Sequence, residues 1–273
     1  MEKHRILITV KTYPTLSRKY GETVCTAGVR EDGTWVRMYP VPFRRLGEKE
    51  QYSKYDWIEC RLTRNTSDPR PETYRPVDQN ELRSVAHIDT RDQWRERRQI
   101  LLKNAKVYTS LDEIIEGAKA NSLSLAVFRP SVIDDFVWEE EDREWDPAKV
   151  REMRNLTNQY DLFEDNTWRE TFKLIPKMPY SFSYKFQDEN GRRSELQVLD
   201  WEVGQLYWNC LRSSDYDEPT ALAKVKKKYY DLFISTDLHF FLGTTQQFHF
   251  VAPNPWVIIG VLPIPKERQL GLF

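Results

Sequence analysis

The 273-residue sequence predicts an α+β chain in which small β-barrel units carry added helices. Three observations carry this. Up to about residue 90, apolar residues come in short β-rich runs broken by glycine, proline and basic turns. From Thr90 the apolar spacing becomes that of helices, over Asp92–Asn104 and Ser110–Ala120. After Leu123 strand-like runs return and helices follow them, so the chain divides into two strand-then-helix halves. The expected boundaries are a first unit over 1–122, a second over 123–262, and an extended tail over 263–273.

In chain order, the first strand runs through MEKHRILITV, with Ile6, Ile8 and Val10 sharing a face. Next, Val24, Thr26 and Val29 precede a turn at Arg30-Glu31-Asp32-Gly33, and Thr34, Trp35, Val36 and Tyr39 follow it. β-Branched and aromatic residues on both sides of a short glycine-containing connection predict a β-hairpin. Pro40 and Pro42 end its second strand, because proline cannot donate to a ladder. A short turn or single helical turn over Phe43–Leu46, a strand over Tyr55–Leu62 and a proline-rich loop or edge segment over Thr66–Pro76 complete a pattern suited to a small barrel such as an OB-fold. Ser110 caps the second helix, with Glu113 completing a capping box. Leu123–Trp138 reads as strands bent at Arg129-Pro130, and Asp146 caps a helix over Pro147–Tyr160. Strands within Phe172–Phe186 and over Ser194–Leu199 flank a turn at Asp188–Gly191. Helices follow over Trp201–Arg212, capped by Asp200, and over Pro219–Ile234. The strands Leu238–Leu242 and Trp256–Leu262 end the second unit, the last apolar enough to be central.

Aromatic residues make up 13% of the chain, including nine Trp, and charged residues 30%, with a mean hydropathy of −0.70. That composition belongs to a folded, soluble chain. No apolar run approaches the roughly 20 residues of a membrane span, and the start lacks the apolar core of a signal peptide. Three distant cysteines make neither a disulfide framework nor a paired metal site, so a cytoplasmic setting is expected, with no membrane partner. A net charge of −1 hides a segregation. Residues 1–110 hold 22 Lys and Arg against 15 Asp and Glu, whereas residues 111–175 hold 8 against 16. A basic first third hints at an anionic partner, or at two faces that meet.

Trp35, Arg37 and Tyr39 alternate along the second hairpin strand and so share a face. Such a face suits stacking on flat anionic ligands, nucleic acid above all, and Lys19, Arg44 and Arg45 add charge beside it. The plainer alternative is a mixed surface strand whose arginine pairs with an acid. Ser17-Arg18-Lys19, Gly21, Cys25, Ala27-Gly28 and Gly33-Thr34-Trp35-Val36-Arg37 resemble the dual OB-fold-containing domain family of bacterial and phage-conflict proteins. The resemblance covers about the first 45 residues, and Met38-Tyr39-Pro40 departs from a pattern that places proline directly after the arginine. It implies two OB-like barrels and recognition of nucleic acid in a defence setting.

The chain closes on QLGLF after Pro263 and Pro265. These five residues resemble the short motif by which bacterial replication and repair proteins dock on the β sliding clamp. Leu272 and Phe273 would fill an apolar pocket, Leu270 a neighbouring one, and Gln269 would hydrogen-bond at the rim. Four specified residues in five arise by chance on the order of once per 10⁵ windows. The alternative is a terminal segment that plugs a local groove.

Catalytic chemistry is weakly signalled. Asp56 and Glu59 fall on opposite faces of a strand, and Asp200 with Glu202 reads as a helix cap. His4, His87, His239 and His249 lack metal-ligand spacing, and no phosphate loop or nucleophile elbow is present. The loop Gly243–Gln247 near His239 and His249 is the best remaining place for a pocket. The expectation is therefore a nucleic-acid-binding protein without catalytic residues, metal or cofactor, favouring DNA over RNA and docking on the sliding clamp. A metal-dependent nuclease and an interaction subunit of a defence complex, meeting its partner through the acidic Asp134–Asp146, are the alternatives.

Overall fold

The computed structural model describes residues 3–17, 21–41, 43–46, 51–152 and 174–266. Strand β1 (Lys3–Lys11) leads through the short β2 (Thr15–Ser17) into β3 (Gly21–Val29), which turns back as β4 (Trp35–Val41). After a single 3₁₀ turn at Phe43–Arg45 come β5 (Asp56–Arg64) and β6 (Thr73–Pro76). β1 pairs with β3, β3 with β4 and β5 with β6, all antiparallel, while β4 pairs with β6 in parallel. The antiparallel β1–β5 ladder closes the ring. The result is a five-stranded barrel with the Greek-key connectivity of an OB-fold.

Inside the barrel lie Ile6, Ile8, Val24, Val36, Met38, Val41, Ile58 and Cys60. Val10 does not join Ile6 and Ile8 as the alternation predicts. The register of β1 against β3 shifts between Ile8 and Val10, and this bulge turns Val10 to the barrel's outer surface beside Leu7. β7 (Ser84–His87) adds to β5. The helix expected over Asp92–Asn104 is broken: in α1 (Arg91–Arg98), Asp92, Gln93 and Trp94 take positive φ, and a π-helical turn, Gln99–Asn104, comes next.

The second unit begins with β8 (Val107–Tyr108) and α2 (Leu111–Lys119). β8 pairs with β9 and α2 packs on the later strands and helices, so the units change over near residue 105 rather than after residue 122. Among the described residues there follow β9 (Leu125–Phe128), β10 (Val132–Glu140), β11 (Tyr180–Gln187), β12 (Arg193–Val198), α3 (Trp201–Arg212), α4 (Glu218–Lys226), β13 (Asp237–Thr244) and β14 (Trp256–Ile264). Between β10 and β11 a helix capped by Asp146 runs over 147–152, and the rest of the one expected to Tyr160 lies outside the described residues. The strands form one mixed sheet in the order β10-β11-β12-β14-β13-β9-β8, with β14 central as its apolar sequence predicts. The second expected barrel thus takes the form of a seven-stranded sheet, with no pairing between its end strands among the described residues.

This sheet is covered on both faces. Ala126, Phe128, Phe240, Leu242 and Ile258 meet α2, α3 and α4 through Ile114, Tyr207 and Leu222. Their neighbours Leu125, Val127, Phe241 and Ile259 meet the outside of the barrel at Leu7, Val10, Ala27, Val29 and Trp57. Barrel, sheet and helices are three layers, and the alternation of each strand assigns its side chains between the two interfaces.

A buried ion pair ties the units together. Lys54, from the loop before β5, lies 3.2 Å from Asp200 and 3.1 Å from Glu202. Asp200 also caps α3, accepting from the Glu202 amide at 3.2 Å. Burial alone would lower the Lys54 ammonium, but Asp200 and Glu202 outweigh it and hold it above its ordinary value. Asp56 accepts from the Ser53 amide at 2.8 Å and contacts His87 Nδ1 at 2.7 Å, whereas Glu59 is exposed on the opposite face. Among the described residues no helix is long and apolar enough to cross a membrane.

Candidate nucleic-acid interface

The alternation along β4 is as expected: Val36 and Met38 enter the barrel, and Trp35, Arg37 and Tyr39 point outward. Arg37, and Trp35 on one side, face the second unit rather than open solvent. Arg37 is 1% exposed. Its Nη1 donates to Ser124 Oγ at 2.7 Å and to Thr73 Oγ1 at 3.3 Å. Its Nη2 donates to the carbonyl of Ser124 at 2.8 Å and to that of Thr244 at 3.5 Å. Arg70 lies alongside, bidentate on Asp68 at 2.9 and 2.6 Å and donating to the same Thr244 carbonyl. Glu72 accepts from the Ser124 amide at 3.0 Å and from its hydroxyl. Burial, with Arg70 adding to it, pulls the Arg37 guanidinium down to about 10, so it stays charged at neutral pH. Burial would raise the Asp68 carboxyl, but Arg70 outweighs it and holds that group below its ordinary value.

The expectation that Arg37 contacts a ligand is therefore corrected. A charge that deep in the protein needs hydrogen-bonding partners, and the second sheet supplies them from residues 124 and 244. Tyr39 is half-buried, and its carbonyl accepts from Asn65 Nδ2 at 2.9 Å. Arg44 is half-buried in the turn after β4. Arg45 closes that turn, its side chain outside the described set. Lys19 lies outside the described residues, as do Gln269, Leu270, Leu272 and Phe273 of the tail motif.

The loop singled out near His249 is fastened rather than open. His249 is buried, its Nδ1 2.9 Å from Thr244 Oγ1 and its Nε2 3.0 Å from Asn121 Oδ1. Asn121 Nδ2 donates to the Pro69 carbonyl at 3.1 Å, and Gln246 Nε2 to that of Ser67 at 2.9 Å. Burial, then the nearby Arg70 and Arg37, keep the imidazole below its ordinary value, so it bridges as a neutral ring.

Trp35, at the tip of the hairpin, lies where the covering sheet ends. It is half-buried, edge-on to Phe241 with ring centroids 5.8 Å apart, and it lines a cleft of about 420 Å³. Tyr74 of β6 and Tyr108 of β8 line the same cleft, with Arg30, Glu72 and Lys106. The Arg30 guanidinium sits 5.6 Å from the Tyr74 ring centroid, and Lys106 Nζ sits 4.4 Å from that of Tyr108. Lys106 pairs with Glu113 at 2.5 Å while its side chain stays 62% exposed. Glu72 is engaged by Ser124, which leaves the open surface to rings and cations.

The hairpin tip is fixed in place. Thr34 donates from its amide to Asp32 Oδ1 at 2.9 Å, and Asn104 Nδ2 donates to the Glu31 carbonyl at 2.8 Å. Gly33 has φ +84°, and a Cβ there would fall 2.2 Å from the Asn104 carbonyl oxygen. Sequence reasoning located Trp35 but missed Arg30, Tyr74, Lys106 and Tyr108. These come from three separate segments, one of them a two-residue strand, and no local spacing joins them.

None of the curated proteins matches the chain. Residues 2–103, the barrel and α1, match a family described as a domain of unknown function, DUF8758. Residues 107–273 match another, DUF8757, and the change between them falls where the architecture changes. That second match covers more than half of the chain, which therefore belongs to the DUF8757 family of domains of unknown function.

Proposed function

We propose that this protein binds unpaired nucleic acid, DNA in preference to RNA, without catalysis of its own. We also propose that it docks on the β sliding clamp through Gln269, Leu270, Leu272 and Phe273, in a replication-repair or phage-conflict setting. One observation carries the nucleic-acid reading: Trp35, Tyr74 and Tyr108 meet Arg30 and Lys106 in one cleft beside an OB-type barrel. Aromatic faces stack on any base, and cations beside them offset the phosphates. The clamp reading is supported by the QLGLF sequence alone.

Fluorescence anisotropy with oligo-dT tests the first reading. Losing one stacking ring costs about 1–3 kcal/mol, so Tyr108→Ala weakens binding roughly 5- to 150-fold. Arg30→Gln and Lys106→Gln each lower the salt slope by about 0.7. Folded variants that bind like the wild type would exclude the cleft. For the tail, equal capture of purified clamp by the full chain and by one ending at Arg268 rejects docking. A second reading, an interaction subunit, is favoured by the loop on which Phe248, Phe250 and Val251 are 47%, 53% and 73% exposed.

A further inference from the structure

Beside its rings and its two cations, the cleft at Trp35 has one carboxylate among its described lining residues, Glu72. Its place is set from two sides. The Glu72 carbonyl accepts from the Arg37 amide at 2.8 Å, which pins the backbone just before β6. The carboxylate accepts from the Ser124 amide through Oε1 at 3.0 Å and from the Ser124 hydroxyl through Oε2. Ser124 Oγ in turn accepts from Arg37 Nη1 at 2.7 Å, so its own proton goes to Glu72 and both Ser124 contacts use Glu72 as an acceptor.

Ser124 does not exhaust this group. An ionised carboxylate offers about four lone-pair sites. Ser124 takes one on each oxygen, and one on each remains among the described residues. Glu72 is only half-buried, so a molecule seated in the cleft can reach it. Burial chiefly raises the Tyr108 hydroxyl, and Glu72 pushes it the same way, which puts the carboxylate within electrostatic reach of that ring. Two oxygens with one open site each match a pair of adjacent N–H donors. Of the common bases only guanine carries such a pair on its Watson–Crick edge, at N1 and the N2 amine. Adenine and cytosine place one amine beside an accepting ring nitrogen, and thymine or uracil one ring N–H between two carbonyls. Each of these sets an acceptor against the carboxylate.

We infer that Glu72 makes the cleft selective for guanine. A guanine stacked on the aromatic lining donates N1–H and one N2–H to the two oxygens of Glu72, while Arg30 and Lys106 meet its phosphate. The inference rests on the nucleic-acid reading for the source of the base, although a free guanine nucleotide presents the same edge. Stacking alone still holds the other bases, more weakly, so oligo-dT remains a ligand. The rings thus fix a preference for unpaired bases, and the carboxylate chooses among them.

The test compares the full chain with its Glu72→Gln variant by fluorescence anisotropy. The probes are dT12 and the same strand with one central base replaced by guanine or by hypoxanthine, which keeps N1–H and lacks the N2 amine. The guanine strand should bind the wild type about 5- to 150-fold tighter than dT12, the worth of one bidentate base contact, with hypoxanthine falling short of it. Glu72→Gln sets an amide donor against a guanine donor, so it should lose the guanine preference while holding dT12 at least as well as the wild type. A merely structural Glu72 would weaken all strands alike, and that result overturns the inference. Equal binding of the three strands by the wild type also overturns it and leaves the nucleic-acid reading in place, as does a guanine preference that survives in Glu72→Gln. If no strand binds but free guanosine monophosphate does, with the same dependence on Glu72, the nucleic-acid reading fails and the guanine site stands for a free nucleotide. Binding of neither overturns both. Should Glu72→Gln unfold, Glu72→Asp, which keeps the charge and draws it back by one methylene, carries the same comparison.

Discussion

Arg37 separates two accounts of the barrel face most cleanly. Replacing it with Met keeps an apolar stem of similar length and removes the guanidinium. The carbonyl of Ser124 loses its 2.8 Å donor, Ser124 Oγ its 2.7 Å donor, and Thr73 Oγ1 a 3.3 Å one. Asp68 and Glu72 lose a neighbouring positive charge, although Arg70 still holds Asp68. Removing one partner from a buried charged network costs about 3–5 kcal/mol. In a chain of this size each kcal/mol lowers Tm by roughly 2–4 °C, so Arg37→Met should melt about 6–20 °C below wild type. Urea unfolding followed by tryptophan fluorescence measures the loss. A double-mutant cycle with Ser124→Ala should return a coupling of at least about 1 kcal/mol. Affinity of the folded variant for oligo-dT should remain near wild type. A variant as stable as wild type that binds tenfold more weakly would refute this reasoning and return Arg37 to the ligand.

Two further predictions rest on local geometry. Gly33→Ala puts a side chain on a backbone at φ +84° and against the Asn104 carbonyl, so it should cost on the order of 1–3 kcal/mol in thermal unfolding and weaken oligonucleotide binding by shifting the hairpin tip. An unchanged Tm would show that the tip is not held there. Glu218 accepts from Arg143 at 2.5 and 2.9 Å and from the Tyr180 hydroxyl at 2.6 Å, and these bonds hold its carboxyl down to about 2 from an ordinary 4.5. A carboxyl lowered by folding adds stability that is complete above about pH 4.5 and fades as pH falls toward 2. The stability gap between wild type and Glu218→Gln should therefore be widest near neutrality and close by about pH 2; a gap that does not change with pH counts against the assignment.

What was legible in the sequence was what neighbouring residues decide. The hairpin around Gly33, the caps at Ser110, Asp200 and Asp146, and the central place of β14 depend on turn chemistry, short-range hydrogen bonds or local apolar content. β6 was legible only as part of a loop or edge segment over Thr66–Pro76, because its four residues, Thr73–Pro76, follow and end on prolines and their strand character comes from pairing with β4 and β5. The outward turn of Val10 escaped because a bulge has no mark in an apolar run. Arg37 misled for a related reason. Its rings-and-charge neighbourhood was correctly placed on one face, but the acceptors that bury it stand 87 and 207 positions away in the chain. The cleft at Trp35 was partly visible: one ring was read directly, Tyr74 depends on the parallel pairing of β6 with β4, and Tyr108 on how the units dock.

That docking has a consequence for inheritance. Two family descriptions meet in this chain near residue 105, which invites a view of two portable modules. Yet Leu7, Val29 and Trp57 of the first share a core with Val127, Phe241 and Ile259 of the second, and Arg37 and Lys54 of the first find their partners in the second. A barrel transplanted without its sheet would carry an oily face and two stranded cations into water. Recombination that separates the halves is penalised at the level of folding, and any lineage that keeps the barrel in this form must keep the sheet that covers it.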